Sequence, residues 1–433
     1  MLQIFKRKPE RIYLDYASVT PADPRVIEIV KNSYSQFPAN PSSLYQEGVL
    51  ASEELEKART VVAQALEVHS DEIYFTSGGT EGDNLCIAGV IKAILKNPTF
   101  AEIGKRPHII STNIEHPAIK GILKHLSDMQ VCEVSYIPVE ENGLVHIKDI
   151  KMALRPETVL VSVMYVNNEI GTIQPISEIA KALRHFKKEQ GRSVSSFPYF
   201  HTDACQALQY CDIRVPSLGI DLMTLDGSKI YGPRGIGAIY IRRGISVEPF
   251  MYGGSQERHI RPGTEALPQI LGFAHALLLC RKEWESESGR IGALRDTCLS
   301  YIKTALEKKN IHVQENGDRR HKVPNNINIC IPEIDAEFLV LKLDVLGVAV
   351  SSVTSCRSKK EDSSSYVIEA LELARGTMPS NTERVVGQFK GCAKSSLRIS
   401  LGRYTTKKDI EIAQVKIVEA ISKVVGFSKE IQN

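Results

Sequence analysis

Glu72-Ile73-Tyr74-Phe75-Thr76-Ser77-Gly78-Gly79-Thr80-Glu81 joins a short apolar run to two glycines and then to a periodic segment. Glu72 to Thr76 predicts a strand, and Thr80 to Leu95 spaces its apolar residues as a helix does. The glycines between them allow a tight reversal. The same alternation recurs along the chain. His108 to Thr112 reads as a strand before a helix from Pro117 to Asp128. Val159 to Tyr165 is a β-rich run, followed by a loop and a helix near Ile176 to Glu189. Tyr199 to Asp203 and Leu222 to Leu225 end further strands, and Ile236 to Ile241 reads as a strand returning. Strands alternating with helices predict an α/β fold with a largely parallel sheet.

The pattern changes around Pro262 to Gly272. A long amphipathic helix is expected from about Ile270 to Lys308. Asn325 to Ile331, Glu337 to Leu346, Val348 to Ser351 and Arg398 to Ser400 then read as a smaller α+β region. Gln190 to Ser196 and Arg357 to Ser365 read as mobile loops, and Gly376 to Gly391 mixes Pro, Ser, Asn and Arg.

Composition bounds the function. The 433 residues suffice for two domains, and 42% hydrophobic with 24% charged residues is ordinary for a soluble enzyme. Net charge is +3, from 54 basic and 51 acidic residues, which argues against direct nucleic-acid binding across the fold. Phe5-Lys6-Arg7-Lys8 lacks a following apolar region and does not read as a secretory signal. No run approaches the roughly 18 apolar residues that span a bilayer, so no membrane role is expected. None of the nine cysteines forms a C-x-x-C pair, and no metal site is expected. Most, including Cys86, Cys280 and Cys330, sit in apolar context and read as inert core thiols, in keeping with a cytoplasmic location.

Several residues carry candidate chemistry. Lys229 follows a strand and precedes a glycine-dense stretch, where a lysine can hold an aldehyde cofactor as a Schiff base; a solvated lysine is the alternative. The Gly78-Gly79-Thr80 turn can cradle a phosphate, or simply cap a helix. His116, between a strand and a helix, can stack on a planar cofactor and relay protons, or make a local hydrogen bond. Asp203 at a strand end can keep a ring nitrogen protonated, or cap a helix. Asn167 and Asn168 sit where ligands are met, though Asn-Asn also suits a turn. Cys356 lies among serines and basic residues, a setting that favours a reactive thiolate or an idle exposed thiol. Arg398, inside an apolar run, needs an anionic partner: a substrate carboxylate or a structural Asp or Glu.

These segments, in this order, resemble the class V, fold-type I pyridoxal-phosphate enzymes, and within them the NifS/IscS-like cysteine desulfurases. The likeness runs from Ile12-Tyr13-Leu14-Asp15-Tyr16-Ala17 to Leu397-Arg398-Ile399-Ser400-Leu401-Gly402-Arg403. Phe75 to Leu85 looks like the family's phosphate loop. Tyr165-Val166-Asn167-Asn168-Glu169 and Thr202-Asp203-Ala204-Cys205-Gln206 match its cofactor-contacting strand ends. Gly227-Ser228-Lys229-Ile230-Tyr231-Gly232-Pro233 matches its Schiff-base lysine segment.

The resemblance implies a large domain over residues 20–264, with a mainly parallel seven-stranded sheet. It implies a small domain from residues 1–19 and 265–433 that carries a mobile cysteine loop. Lys229 would hold pyridoxal 5'-phosphate covalently, Asp203 would face the pyridinium nitrogen, and His116 would stack on the ring. Gly79, Thr80 and Ser228 would contact phosphate, Gln206 the phenolic oxygen, and Asn168 the substrate or cofactor. Thr264 matches a residue that reaches the partner subunit's phosphate, which implies a homodimer. Arg398 would clamp the carboxylate of L-cysteine. Cys356 would take the sulfur as a persulfide and pass it to an acceptor protein, an iron–sulfur scaffold or a tRNA-thiolation type. Relatives usually have Ser-Gly-His before the lysine. Here Asp226-Gly227-Ser228 puts a negative charge near the expected phosphate and removes a donor. The alternatives are another class V reaction, selenocysteine lyase or aminotransferase, or a weakened sulfur-relay scaffold.

Overall fold

The computed structural model describes residues 11–332, 334–352, 364–376 and 391–432. Cys356, all of Arg357 to Ser365 except its last two residues, and residues 377–390 lie outside them.

A seven-stranded sheet forms the centre. Its strands are β2 (Ile73–Thr76), β3 (His108–Thr112), β4 (Glu133–Ile137), β5 (Thr158–Ser162), β6 (Tyr199–Asp203), β7 (Leu222–Asp226) and β8 (Gly237–Ile241), in the spatial order β2-β8-β7-β6-β5-β3-β4. Only β8 runs against the others, pairing antiparallel with both β2 and β7. β3, β5, β6 and β7 are buried at almost every position, as expected of strands covered on both faces. The Val159 to Tyr165 run is strand only as far as Ser162; beyond it the chain turns across the sheet's end.

The smaller sheets use the rest of the chain. β1 (Ile12–Tyr13) pairs in parallel with β11 (Val348–Ala349). β9 (Gln314–Glu315), β10 (Asn326–Cys330), β12 (Ser351–Ser352) and β13 (Ser396–Ser400) form a four-stranded sheet in the order β12-β13-β10-β9. The long helix spans Leu267–Glu307. Its first half, through Phe273 and Leu277, packs into the core of the large sheet; its second half, through Ile291 and Ile302, packs with the small sheets. One rigid helix thereby fixes Arg398 relative to the ends of the large sheet's strands.

Two tertiary links were not legible in the sequence. The Arg59 guanidinium grips Glu257 through two hydrogen bonds of 2.7 and 2.8 Å, both residues being buried. Glu257 also accepts the Phe75 N–H at 2.8 Å. Burying these charges is tolerable only because each is paired. The pair anchors a turn in which Glu257, Arg258 and His259 all have positive φ, at 44°, 54° and 66°. The second link is a disulfide between Cys330 and Cys392, with Cα atoms 5.3 Å apart. Cys330 is therefore not an inert core thiol: it ends β10 facing a cysteine 62 residues along the chain. The Gln190 to Ser196 loop is also tied, Arg192 N–H donating to the Lys187 carbonyl at 2.8 Å and Ser196 N–H to that of Ser193 at 3.1 Å.

Candidate active site

Parallel strands deliver their carboxyl ends to one edge, where α/β proteins bind ligands. β2 ends at the Gly78-Gly79 turn, β3 just before Glu115 and His116, and β5 before Asn167 and Asn168. β6 ends at Asp203 and β7 at Asp226, three residues before Lys229. A pocket of about 250 Å³ opens there. Gly79, Thr80, His116, Asn168, Asp203, Gln206, Lys229 and Arg398 all line it. Ser228 and Thr264 do not, and Thr264 stands exposed on the surface.

Lys229 lies in a single helical turn, Gly227–Lys229. Its ammonium donates to the carbonyls of Ser18 and, at 3.4 Å, Ala17. The next residues hold it there. Tyr231 has φ 61°, a strained value for a tyrosine, and is almost fully buried. Its N–H donates to the Thr20 hydroxyl at 2.7 Å, and its phenol accepts the Arg403 N–H at 2.6 Å.

Asp203 is buried, and one of its carboxylate oxygens accepts the Cys205 N–H at 2.9 Å. His116 caps the helix Pro117–Asp128, its Nδ1 accepting the Ala118 N–H at 3.2 Å. In a neutral ring that leaves the proton on Nε2. Burial lowers the His116 pKa, and nearby Asp203 partly opposes this, so the ring is neutral near pH 7. Gln206 donates to the Ala17 carbonyl at 2.8 Å. Asn167 organises its turn, Oδ1 accepting the N–H groups of Glu169 at 2.9 Å and Ile170 at 3.1 Å. The Oδ1 of Asn168 is buried without a hydrogen-bond partner among the described residues, as suits an atom reserved for a ligand.

Of the two kinds of partner foreseen for it, Arg398 has the structural one. It pairs with Asp15 at 2.8 Å, and it donates to the Ser18 hydroxyl at 2.6 Å and the Asn168 carbonyl at 3.0 Å. Its Nε is buried without a partner among the described residues, so the guanidinium is held but not used up.

The expected phosphate cradle differs most from expectation. Gly79 N–H donates to Asp226 Oδ2 at 2.9 Å. Ser228 donates its N–H (2.7 Å) and its hydroxyl (2.6 Å) to Asp226 Oδ1. Two of the three residues assigned to phosphate, Gly79 and Ser228, are engaged by a carboxylate of the same chain.

Sequence reasoning missed three features here. Glu115, beside His116, is fully buried, and burial raises its pKa to about 8 against hydrogen bonds from the Thr112 hydroxyl and the Met164 N–H. Ser365 caps the helix Tyr366–Ala374 and donates to Glu169 at 2.6 Å, which brings Ser364 to Tyr366 to the pocket's rim. A serine directly before an apolar helical run was the available signal. Asp83 lines the pocket with Oδ1 buried and without a hydrogen-bond partner among the described residues, 3.8 Å from His201 Nε2.

Burial, with Asp203 nearby, raises the Asp83 pKa well above the usual carboxyl range. The unfolded chain ionises first, so this residue's cost appears as pH rises past the ordinary value and is complete above the raised one. Asp83→Asn is therefore expected to stabilise the protein at pH 8 by about 1–3 kcal/mol. The gain should shrink toward pH 5. Urea denaturation at both pH values checks it; an equal gain at both would contradict the assignment.

With this geometry established, comparison with known proteins is direct. The aminotransferase class-V family matches residues 12–412. The chain belongs to this family. A cysteine desulfurase IscS of Dictyoglomus turgidum is 36% identical over 426 residues, covering 97% of each chain. A mitochondrial cysteine desulfurase of Arthroderma benhamiae is 37% identical, covering 97% of this chain and 75% of its own. A solved NifS-like protein superposes with a TM-score of 0.80 at 30% identity, over 95% of this chain and 99% of its own. The class-V likeness expected from the motifs, and the α/β fold, are thus confirmed. No helix among the described residues is long and apolar enough to cross a membrane.

Proposed function

We propose that this chain is a pyridoxal-phosphate-dependent cysteine desulfurase. It converts L-cysteine to L-alanine and hands the sulfur through Cys356 to an acceptor. One observation carries the reading: Lys229, Asp203, His116 and Arg398, drawn from four separate segments, line a single pocket. The desulfurase names of its relatives support it.

The residues fit the cofactor at its ring end. A lysine amine, a buried carboxylate and a neutral imidazole surround space for one planar ring. At the phosphate end Asp226 holds the donors. When bound, the cofactor supplies an aldehyde for an amino group and a ring that withdraws electrons. Lys229 Nζ would hold that aldehyde and would act as the base at the substrate's α-carbon. The Asp203 carboxylate would hold a proton on the ring nitrogen. His116, carrying its proton on Nε2, exchanges it with the substrate thiol. Arg398 orients the substrate carboxylate, with Asn168 beside it. Cys356 then forms a sulfur–sulfur bond as the substrate's carbon–sulfur bond breaks; the bonding electrons stay on the carbon, which takes a proton and leaves as alanine.

The protein is expected to work as a homodimer, with Thr264 reaching its partner's site. Support comes from Leu44, 96% exposed, and the half-exposed Tyr45, Val49 and Leu50 around it, an apolar patch of the kind a second chain covers. The acceptor is a sulfur-receiving protein.

The test is incubation with L-cysteine, with alanine and sulfide measured. In the Cys356→Ala variant, sulfur transfer to an acceptor thiol is expected to fall about 100-fold. Transfer at the parent rate would rule out the persulfide step.

A further inference from the structure

Asp226 stands where a ligand's anion belongs. The helix Gly79–Leu95 begins at the pocket, and its free N-terminal N–H groups are an anion site. The first of them, on Gly79, donates to Asp226 Oδ2 at 2.9 Å. Both donors of Ser228 close on the other oxygen, at 2.7 and 2.6 Å. Space is tight as well. A Cβ on Gly79 would meet Cys205 Sγ at 2.7 Å and Asp226 Oδ2 at 3.4 Å. Only a glycine fits at this position, because the Cys205 sulfur stands in the way.

We propose that Asp226 is a specificity-determining residue that occupies the anion cradle and cancels the advantage a phosphate group would otherwise bring to the site. This rests on the reading of Lys229 as an aldehyde-binding lysine. A phosphate that takes the Gly79 and Ser228 donors must first displace a carboxylate holding three hydrogen bonds, and must then sit close to its negative charge. An aldehyde of the same ring without the phosphate, free pyridoxal, meets neither obstacle. The cradle therefore gives the phosphate no advantage: the phosphorylated and the unphosphorylated ring aldehydes are both held by the ring end.

The experiment uses the purified full chain and three probes: pyridoxal phosphate, pyridoxal and inorganic phosphate. Affinities are read at pH 7.5 from thermal shift and equilibrium dialysis, for the parent, Asp226→Ser and Asp226→Asn. The parent is expected to bind the two aldehydes with similar affinity and to gain nothing from inorganic phosphate. Removing the charge is expected to raise the preference for pyridoxal phosphate over pyridoxal by roughly 100-fold, and to let inorganic phosphate stabilise the protein. A parent that already prefers pyridoxal phosphate as strongly as the variants overturns the proposal. So does inorganic phosphate stabilising parent and variants alike. Should Asp226→Ser fail to fold, Asp226→Asn keeps the shape, and the parent's own preference still decides. Borohydride trapping followed by mass spectrometry separates the two readings. If neither aldehyde is trapped on Lys229 in any variant, the aldehyde-binding reading fails, while the inorganic-phosphate arm still judges the cradle.

Discussion

Lys229→Ala is expected to lower alanine formation from L-cysteine by on the order of 10,000-fold. Lys229 is the single lysine among the pocket's described lining residues. It is positioned from both sides: carbonyls of Ala17 and Ser18 receive its ammonium, and the strained Tyr231 that follows is locked by Thr20 and Arg403. No other described lining residue carries an amine that could take its place. Lys229→Arg should not rescue, because a guanidinium cannot give up its proton. The fold should survive, since the ammonium donates only to carbonyls at a partly open position. Alanine quantified by chromatography, beside a thermal melt, separates the two effects. Activity within tenfold of the parent in a folded Lys229→Ala protein would sink the assignment.

Arg398→Ala is expected to reduce kcat/KM for L-cysteine by roughly 1000-fold, mostly through KM. The guanidinium is pre-organised by Asp15, Ser18 and the Asn168 carbonyl, and its Nε is buried without a partner among the described residues. A carboxylate entering the pocket completes that set. Arg398→Lys should recover little, because an ammonium cannot present a planar fork. The rival role, a structural partner of Asp15, predicts something else: lower thermal stability with an unchanged KM. Steady-state kinetics and melting curves on the same samples decide between them.

The architecture was legible where local pattern dominates. Apolar runs ending in glycine, Asp or Asn marked strand ends, and a parallel sheet gathers strand ends on one edge. That is why Lys229, Asp203 and His116 could be picked out from sequence and then found in one pocket. Pairing direction was not legible: nothing local says that β8 runs against its neighbours. Contacts distant in sequence were also hidden. Asp226 reads as a misplaced charge, yet its grip on a glycine 147 residues away is a tertiary fact. Arg59 looks like any helical surface arginine until Glu257, 198 residues on, closes over it. Buried carboxyls such as Asp83 and Glu115 escape sequence reading because burial, the cause of their raised pKa values, is a property of the packed fold.

Because Cys330 is joined to Cys392, the chain between them forms a covalent ring closed at the small sheet. Cys356 lies on that ring by sequence. One foot of the ring is the end of β10, and the other leads within four residues into β13, its neighbour in the sheet. A single cut in the main chain anywhere from residue 331 to 391 therefore opens the ring without dividing the molecule. The two pieces stay covalently joined beside Arg398's strand, and only a cut combined with reduction removes the last covalent link between them.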